Sequence, residues 1–222
     1  MTSLTDIWPL AGLRLRTGDL ELRFPSDADL AELAAAAMAP VHDPQTMAFS
    51  TPWTDAPPTE RARGVLQWHW SLRGSWSPEQ WTLGLVAVRA GVVVGTQDIS
   101  GGRFDATHEV LTGSWVAAAH QGVGIGTAMR RAVLHLAFAG LGARTARSGA
   151  FLDNEASLRV SEKLGYVPDG TEVHAPRGTG ATMTRLLLVR SVWVERSPRW
   201  PAVEIEGLDD ACLSMFGLPA AA

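Results

Sequence analysis

Several residue types that carry common chemistries are almost missing from this chain. Cys212 is its one cysteine, so no intramolecular disulfide can form, and a reducing compartment, the cytoplasm, is expected. It has one tyrosine, Tyr166, and one lysine, Lys163. No apolar run approaches the ~20 residues of a membrane span, because Arg, Glu or Gly interrupts each one. Met1–Leu10 also lacks the basic stretch and apolar run of a secretory leader. No membrane partner is expected. A formal net charge of −4 without a dense basic patch argues against nucleic acid as a partner. No His, Cys, Asp and Glu residues fall at metal-ligand spacing, so no metal is expected, and no Ser-His-Asp arrangement stands out.

What is present suits one α/β domain. The chain has 222 residues, 46% of them hydrophobic, enough to bury a sizeable core. Residues 1–196 read as that domain and 197–222 as a tail packing on it or on a dimer partner. Leu13–Arg16 and Leu20–Phe24 alternate apolar and polar residues around Gly18-Asp19, a hairpin pattern. Ser26-Asp27 caps a helix to about Met38, and Thr59–Arg73 has the spacing of a second. Trp81–Arg89, Val92–Ser100 and Glu109–Ala117 form a strand meander. The period then lengthens: over Gly126–Leu141, Met129, Val133, Leu136 and Gly140 mark one helical face, with Arg130, Arg131 and His135 left for the other. Arg144–Phe151 reads as a strand, Glu155–Leu164 as a helix, Tyr166–His174 as a strand, and Ala181–Glu195 as a long final strand. The order predicts a mixed, mostly antiparallel sheet with helices on both faces. The long last strand and the tail would offer edges for a homodimer.

The segment Gln121-Gly122-Val123-Gly124-Ile125-Gly126-Thr127 follows a strand and opens a helix. Glycines let backbone approach a ligand closely, and a helix start presents unpaired N–H groups, so the turn can hold a phosphate or pyrophosphate. A dinucleotide fingerprint would need glycine at Thr127 and an acid near Arg144; a Walker loop would need a lysine. Glycines serving only a tight turn are the plainer alternative. Val41–Pro58 is a proline-rich loop, of a length that is commonly functional. The tryptophans Trp53, Trp68, Trp70, Trp76 and Trp81 cluster in one third of the chain, as core packing or as pocket walls.

Gln121, Gly124 and Gly126 resemble the Gln/Arg-x-x-Gly-x-Gly/Ala acyl-CoA motif of the GNAT superfamily of N-acyltransferases. Asn154-Glu155-Ala156-Ser157, with Lys163-Leu164-Gly165-Tyr166 after it, is similar to a second element typical of the RimJ/RimL-like branch. The loop around His42, Phe49 and Trp53, and the tail, look like those of an actinobacterial subgroup, at least one similar mycobacterial protein being associated with succinyl-CoA. The resemblance covers roughly Leu13 to Arg196. It implies an acyl-CoA-dependent N-acyltransferase, with acetyl-CoA or succinyl-CoA as donor and a small-molecule or protein N-terminal amine as acceptor.

The same resemblance implies roles. Gln121, Gly122, Val123, Gly124, Ile125, Gly126 and Thr127 would cradle the donor pyrophosphate. The Val116 backbone would orient the pantetheine and thioester, and Asn154 would bond the pantetheine arm. Ser157 lies where relatives place a hydroxyl near the CoA sulfur, and Tyr166 matches a packing position. Relatives carry a base two residues before the glycine of Gly113-x-Trp115, where this chain has Leu111. Glu109, on the same strand face, is the nearest acid and the candidate base, or else a surface carboxylate. His42, Phe49 and Trp53 would wall the acceptor pocket. His120 and His135 read as helix-end and helix-surface residues. An acyl-CoA-binding module of the same fold with little turnover is the other functional reading.

Overall fold

A computed structural model describes residues 2–219. Its described residues hold α1 (Leu4–Ile7), the hairpin β1 (Arg14–Thr17) and β2 (Leu20–Arg23), α2 (Asp27–Ala36) and α3 (Pro58–Gly74). Next come β3 (Gln80–Arg89), β4 (Val92–Gly102), α4 (Phe104–Thr107), β5 (Glu109–Val116) and α5 (Ile125–His135). Then follow β6 (Thr145–Phe151), α6 (Glu155–Leu164), β7 (Val167–His174), β8 (Ala181–Val189), α7 (Arg190–Arg196), β9 (Glu204–Glu206) and α8 (Asp210–Met215).

All nine strands join one sheet in the order β7-β8-β6-β5-β4-β3-β2-β1-β9. Neighbours are antiparallel except β5 and β6, which run parallel. The period-two pattern of β3 sorts its side chains. Leu83, Leu85 and Ala87 join the main core with α5, while Val86 and Val88 pack under α2 and α3 on the other face. Local chemistry sets the helix starts. Ser26 and Asp29 form a capping box at α2, and Asp29 also takes Arg23 at 2.6 Å. Pro58 opens α3 where its missing N–H costs nothing.

Three expectations change. The chain does not continue as a strand to Glu195: β8 stops at Val189, opposite Thr145, the first residue of β6. No strand lies beyond to take its backbone groups, so Arg190–Arg196 closes them within a helix. That helix stacks Trp193 on Phe138 (5.5 Å) and Trp200 (5.0 Å). β8 is therefore an interior strand, and the open edges are β7 and β9. The helix after the glycine turn ends at His135 and passes into a wide π-turn, Leu136–Gly140. Arg130 does not face solvent; it is buried, with its guanidinium donating to Ser148 (3.0 Å), Ser161 (3.4 Å) and Ser114 (3.4 Å).

The tail is part of the fold. β9 pairs with β1 through Arg14↔Glu206 to Arg16↔Glu204, reinforced by an Arg16–Glu206 ion pair. Cys212 and Phe216 are fully buried in the main core, and burial pushes the Cys212 thiol up to about 12. Among the described residues no helix is long and apolar enough to cross a membrane, and no group of His, Cys, Asp and Glu could hold a metal ion.

Candidate functional site

The parallel pair forks. β5 and β6 share three register pairs, Glu109↔Thr145 to Leu111↔Arg147. Beyond them β5 stays with β4 as far as Val116↔Gly95, and β6 stays with β8 as far as Phe151↔Met183. Each prong then feeds a helix, so the N-termini of α5 and α6 both stand at the mouth of the fork. Partial positive charge gathers there.

The glycine turn is shaped for an anion. Gly122 (φ +79°) and Gly124 (φ +89°) occupy the left-handed region, and a Cβ on either would meet nothing within 4 Å. They are glycines for backbone conformation, with open space in front. Gly124 is the N-cap of α5, and no side chain caps that helix. Val123 projects outward, 66% exposed, while Ile125 is buried and anchors the first turn. Gly126 keeps the helix start close to Val116, whose Cγ2 is 3.7 Å from the Cβ position. Thr127 follows within the first turn of α5. Gln121 turns inward: its Nε2 donates to the carbonyls of Val116 and Val41, both at 2.7 Å. That ties the turn to the end of β5 and to the start of the 41–58 loop.

On the other prong Asn154 caps α6, its Oδ1 accepting from the Ser157 amide at 3.1 Å. Ser157 is partly exposed one turn into the helix. Tyr166 is buried beside Thr112, their hydroxyl oxygens 3.3 Å apart, as expected of a packing residue.

The 41–58 loop folds over the opposite face. His42, Phe49, Trp53 and Trp115 form one continuous row of edge-on and tilted ring contacts, the aromatic stack, with ring centroids 5.6, 5.2 and 5.6 Å apart in that order. Trp115 belongs to β5, so the three loop residues pack against the prong that leads into the glycine turn. Polar ties hold the loop there: Arg177 grips Asp55 at 2.6 and 2.7 Å and the Pro44 carbonyl at 2.9 Å, and the Met47 amide donates to Asp153 at 2.7 Å.

Glu109 sits at the closed end of the fork. Its carboxylate accepts from Arg147 (2.8 Å) and from the Thr145 hydroxyl (3.0 Å), and Arg147 reaches on to Asp169 (2.5 Å). Beside it lies a recess of about 160 Å³, lined by Gln80, Ser100, Thr107 and Leu111 among others.

A second acid was not anticipated. Asp98 of β4 is partly exposed, in register between Gly84 and Gly113. A Cβ on Gly113 would stand 2.8 Å from Asp98 Oδ2, so the carboxylate lies over that glycine. Burial raises its pKa from 3.8 to about 6, while the positive field of Arg130 pulls the other way. One signal pointed to it: the lone charge in the strand segment Val92–Ser100.

Comparison with known proteins agrees with this geometry. The model of the acetyltransferase (GNAT) domain family matches residues 19–167.

The chain belongs to the GNAT family.

This GNAT chain has the family's mixed α/β fold, a mostly antiparallel sheet flanked by helices. Among solved structures it resembles Mycobacterium smegmatis RimJ in complex with CoA-disulfide, at 17% identity and TM-score 0.69, over 86% of this chain and 96% of that one. The ribosomal-protein-S5-alanine acetyltransferase of Vibrio fischeri is similar at 17% identity and TM-score 0.62, over 81% and 98%. The Salmonella typhimurium acetyltransferase yncA, solved with acetyl-CoA, is similar at 21% identity and TM-score 0.57, over 78% and 95%.

Proposed function

We propose that this GNAT chain transfers an acyl group from acyl-CoA to a primary amine by direct attack within a ternary complex. The observation that carries the reading is the fork itself, opening toward an uncapped helix start behind two left-handed glycines. In this reading the amides of Gly122–Thr127 hold the pyrophosphate. The prong edge at Val116 and the Asn154 amide take the pantetheine, and Ser157 protonates the departing thiolate. Amine attack forms the new C–N bond as the C–S bond breaks, and the amine's surplus proton must pass to a base.

On the acceptor side, the stack of His42, Phe49, Trp53 and Trp115 supports an amine carried on an aromatic or apolar body. Likeness to RimJ and to an S5-alanine acetyltransferase favours a RimJ/RimL-like chain acting on a protein N-terminus. For the donor, acetyl and succinyl groups differ by a free carboxylate. Thiol release measured with each donor decides between them. The cytoplasm is the expected location. The open β7 edge, with Val167 and Val173 exposed, supports a homodimer.

Calorimetry with CoA and thiol release from acetyl-CoA and succinyl-CoA test this reading. Gly124→Val forces a β-branched residue to φ +89° in the cradle. Loss of two charge-assisted hydrogen bonds there should weaken CoA binding about a hundredfold or more. Undiminished CoA affinity in a folded Gly124→Val variant refutes the donor site. Tight CoA binding by the wild-type protein without thiol release on any amine favours the regulatory module.

A further inference from the structure

Asp98 carries a carboxylate with no side-chain partner among the described residues. Its hydrogen bonds come from two backbone amides, its own and that of Gly113, and it forms no ion pair among the described residues. Both cross-strand neighbours on its face, Gly84 and Gly113, lack side chains; the Asp98 carboxylate lies over Gly113, and His69 and Leu72 of α3 cover Gly84. Gly113 is the second residue of β5 past the last β5–β6 pair, which places Asp98 against the crotch of the fork. Trp115, two residues further along the same face, is the end of the aromatic stack. A group passing from that stack to the fork meets Asp98 on the way.

Resting on the acyl-transfer reading, we propose that Asp98 is the general base of the reaction. Its carboxylate takes the proton shed by the amine as nitrogen bonds the acyl carbon. The sulfur leaves with the C–S electron pair and takes its proton from Ser157, which recovers one from solvent. Glu109 is held by Arg147 and Thr145 at the closed end, two residues short of the fork. His69, which covers Gly84 from α3, is lowered to about 4 by burial and is neutral near pH 7. Arg130 lies beneath the sheet, bonded to serines, and Arg147 on β6 is paired with Glu109 and Asp169. At about 6, the Asp98 carboxyl is ionised at neutral pH yet basic enough to accept a proton.

The test uses the full chain with acetyl-CoA or succinyl-CoA and three amine probes: phenethylamine, putrescine and an unblocked alanine-initiated peptide. Asp98→Asn should lower kcat about 100-fold or more, abolish the acid limb of the pH–rate profile near pH 6, and leave CoA affinity unchanged. Asp98→Glu should restore part of the rate together with the acid limb. An Asp98→Asn enzyme that keeps its acid limb and loses less than about threefold in kcat overturns the proposal. So does loss of CoA binding alongside turnover, which assigns Asp98 to the framework. Wild-type protein releasing no CoA with any probe overturns the acyl-transfer reading itself, a result separable from failure at Asp98 alone.

Discussion

Replacing Asp98 by asparagine is expected to stabilise the protein at neutral pH while removing its proposed chemistry. The folded state holds the Asp98 proton more tightly than the unfolded chain does, so ionisation works against folding. The penalty is absent below the ordinary 3.8, grows as pH rises, and is complete above about 6. That displacement corresponds to about 3 kcal/mol against the charged form. Because part of the side chain meets water, about 1–2 kcal/mol is the expected gain for Asp98→Asn at pH 7.5. In a domain of this size each kcal/mol moves Tm by roughly 2–4 °C, so a rise of about 2–8 °C should appear by calorimetry. Repeating the scan toward pH 4 should shrink the difference, because both side chains are then neutral. Equal stability of wild type and variant at both pH values, or destabilisation at both, would refute the desolvated-carboxylate argument.

Ser157→Ala should leave CoA affinity intact and lower kcat and kcat/KM together, since a proton donor to sulfur acts only in the transition state; a weakened CoA complex with normal kcat would place Ser157 in binding instead. Trp53→Ala removes the middle of the stack between Phe49 and Trp115. It should raise acceptor KM about tenfold, in line with an aromatic contact of ~1 kcal/mol plus lost burial, and leave CoA affinity alone. An acceptor KM no different from that of a remote surface variant refutes the pocket wall. Light scattering is expected to give twice the chain mass, and charges placed at Val167 and Val173 should return the monomer mass; a wild-type monomer refutes the β7 interface.

Patterns that are local in sequence were legible. The glycine turn, the capped helices and the change of period after Gly124 each depend on neighbours within a few residues. The loop side chains His42, Phe49 and Trp53 could be named because their chemistry clusters, but their partner Trp115 could not, since the contact spans the fold. Asp98 was missed for a similar reason. Only the registers Gly84↔Asp98 and Asp98↔Gly113 set it between two glycines, and register is a property of paired strands. Arg130 looked like the polar face of a helix because serines from β5, β6 and α6, which make a polar niche for it, lie 16 to 31 residues away. The segment after Val189 alternates like a strand, and what turns it into a helix is the want of a strand to pair with.

The pairing of β9 with β1 has a consequence for the birth of the protein. Arg16 lies opposite Glu204, and Phe216 closes on Trp76 and Trp81 at ring distances of 5.6 and 4.9 Å. A ribosome adding ~5–20 residues each second needs about 10–40 s to travel from the first strand to its outer neighbour. Throughout that interval the β1 edge is bare and the tryptophan nest is unlidded. The nascent chain therefore waits with its earliest hairpin exposed, and native closure comes only after the last strand leaves the exit tunnel.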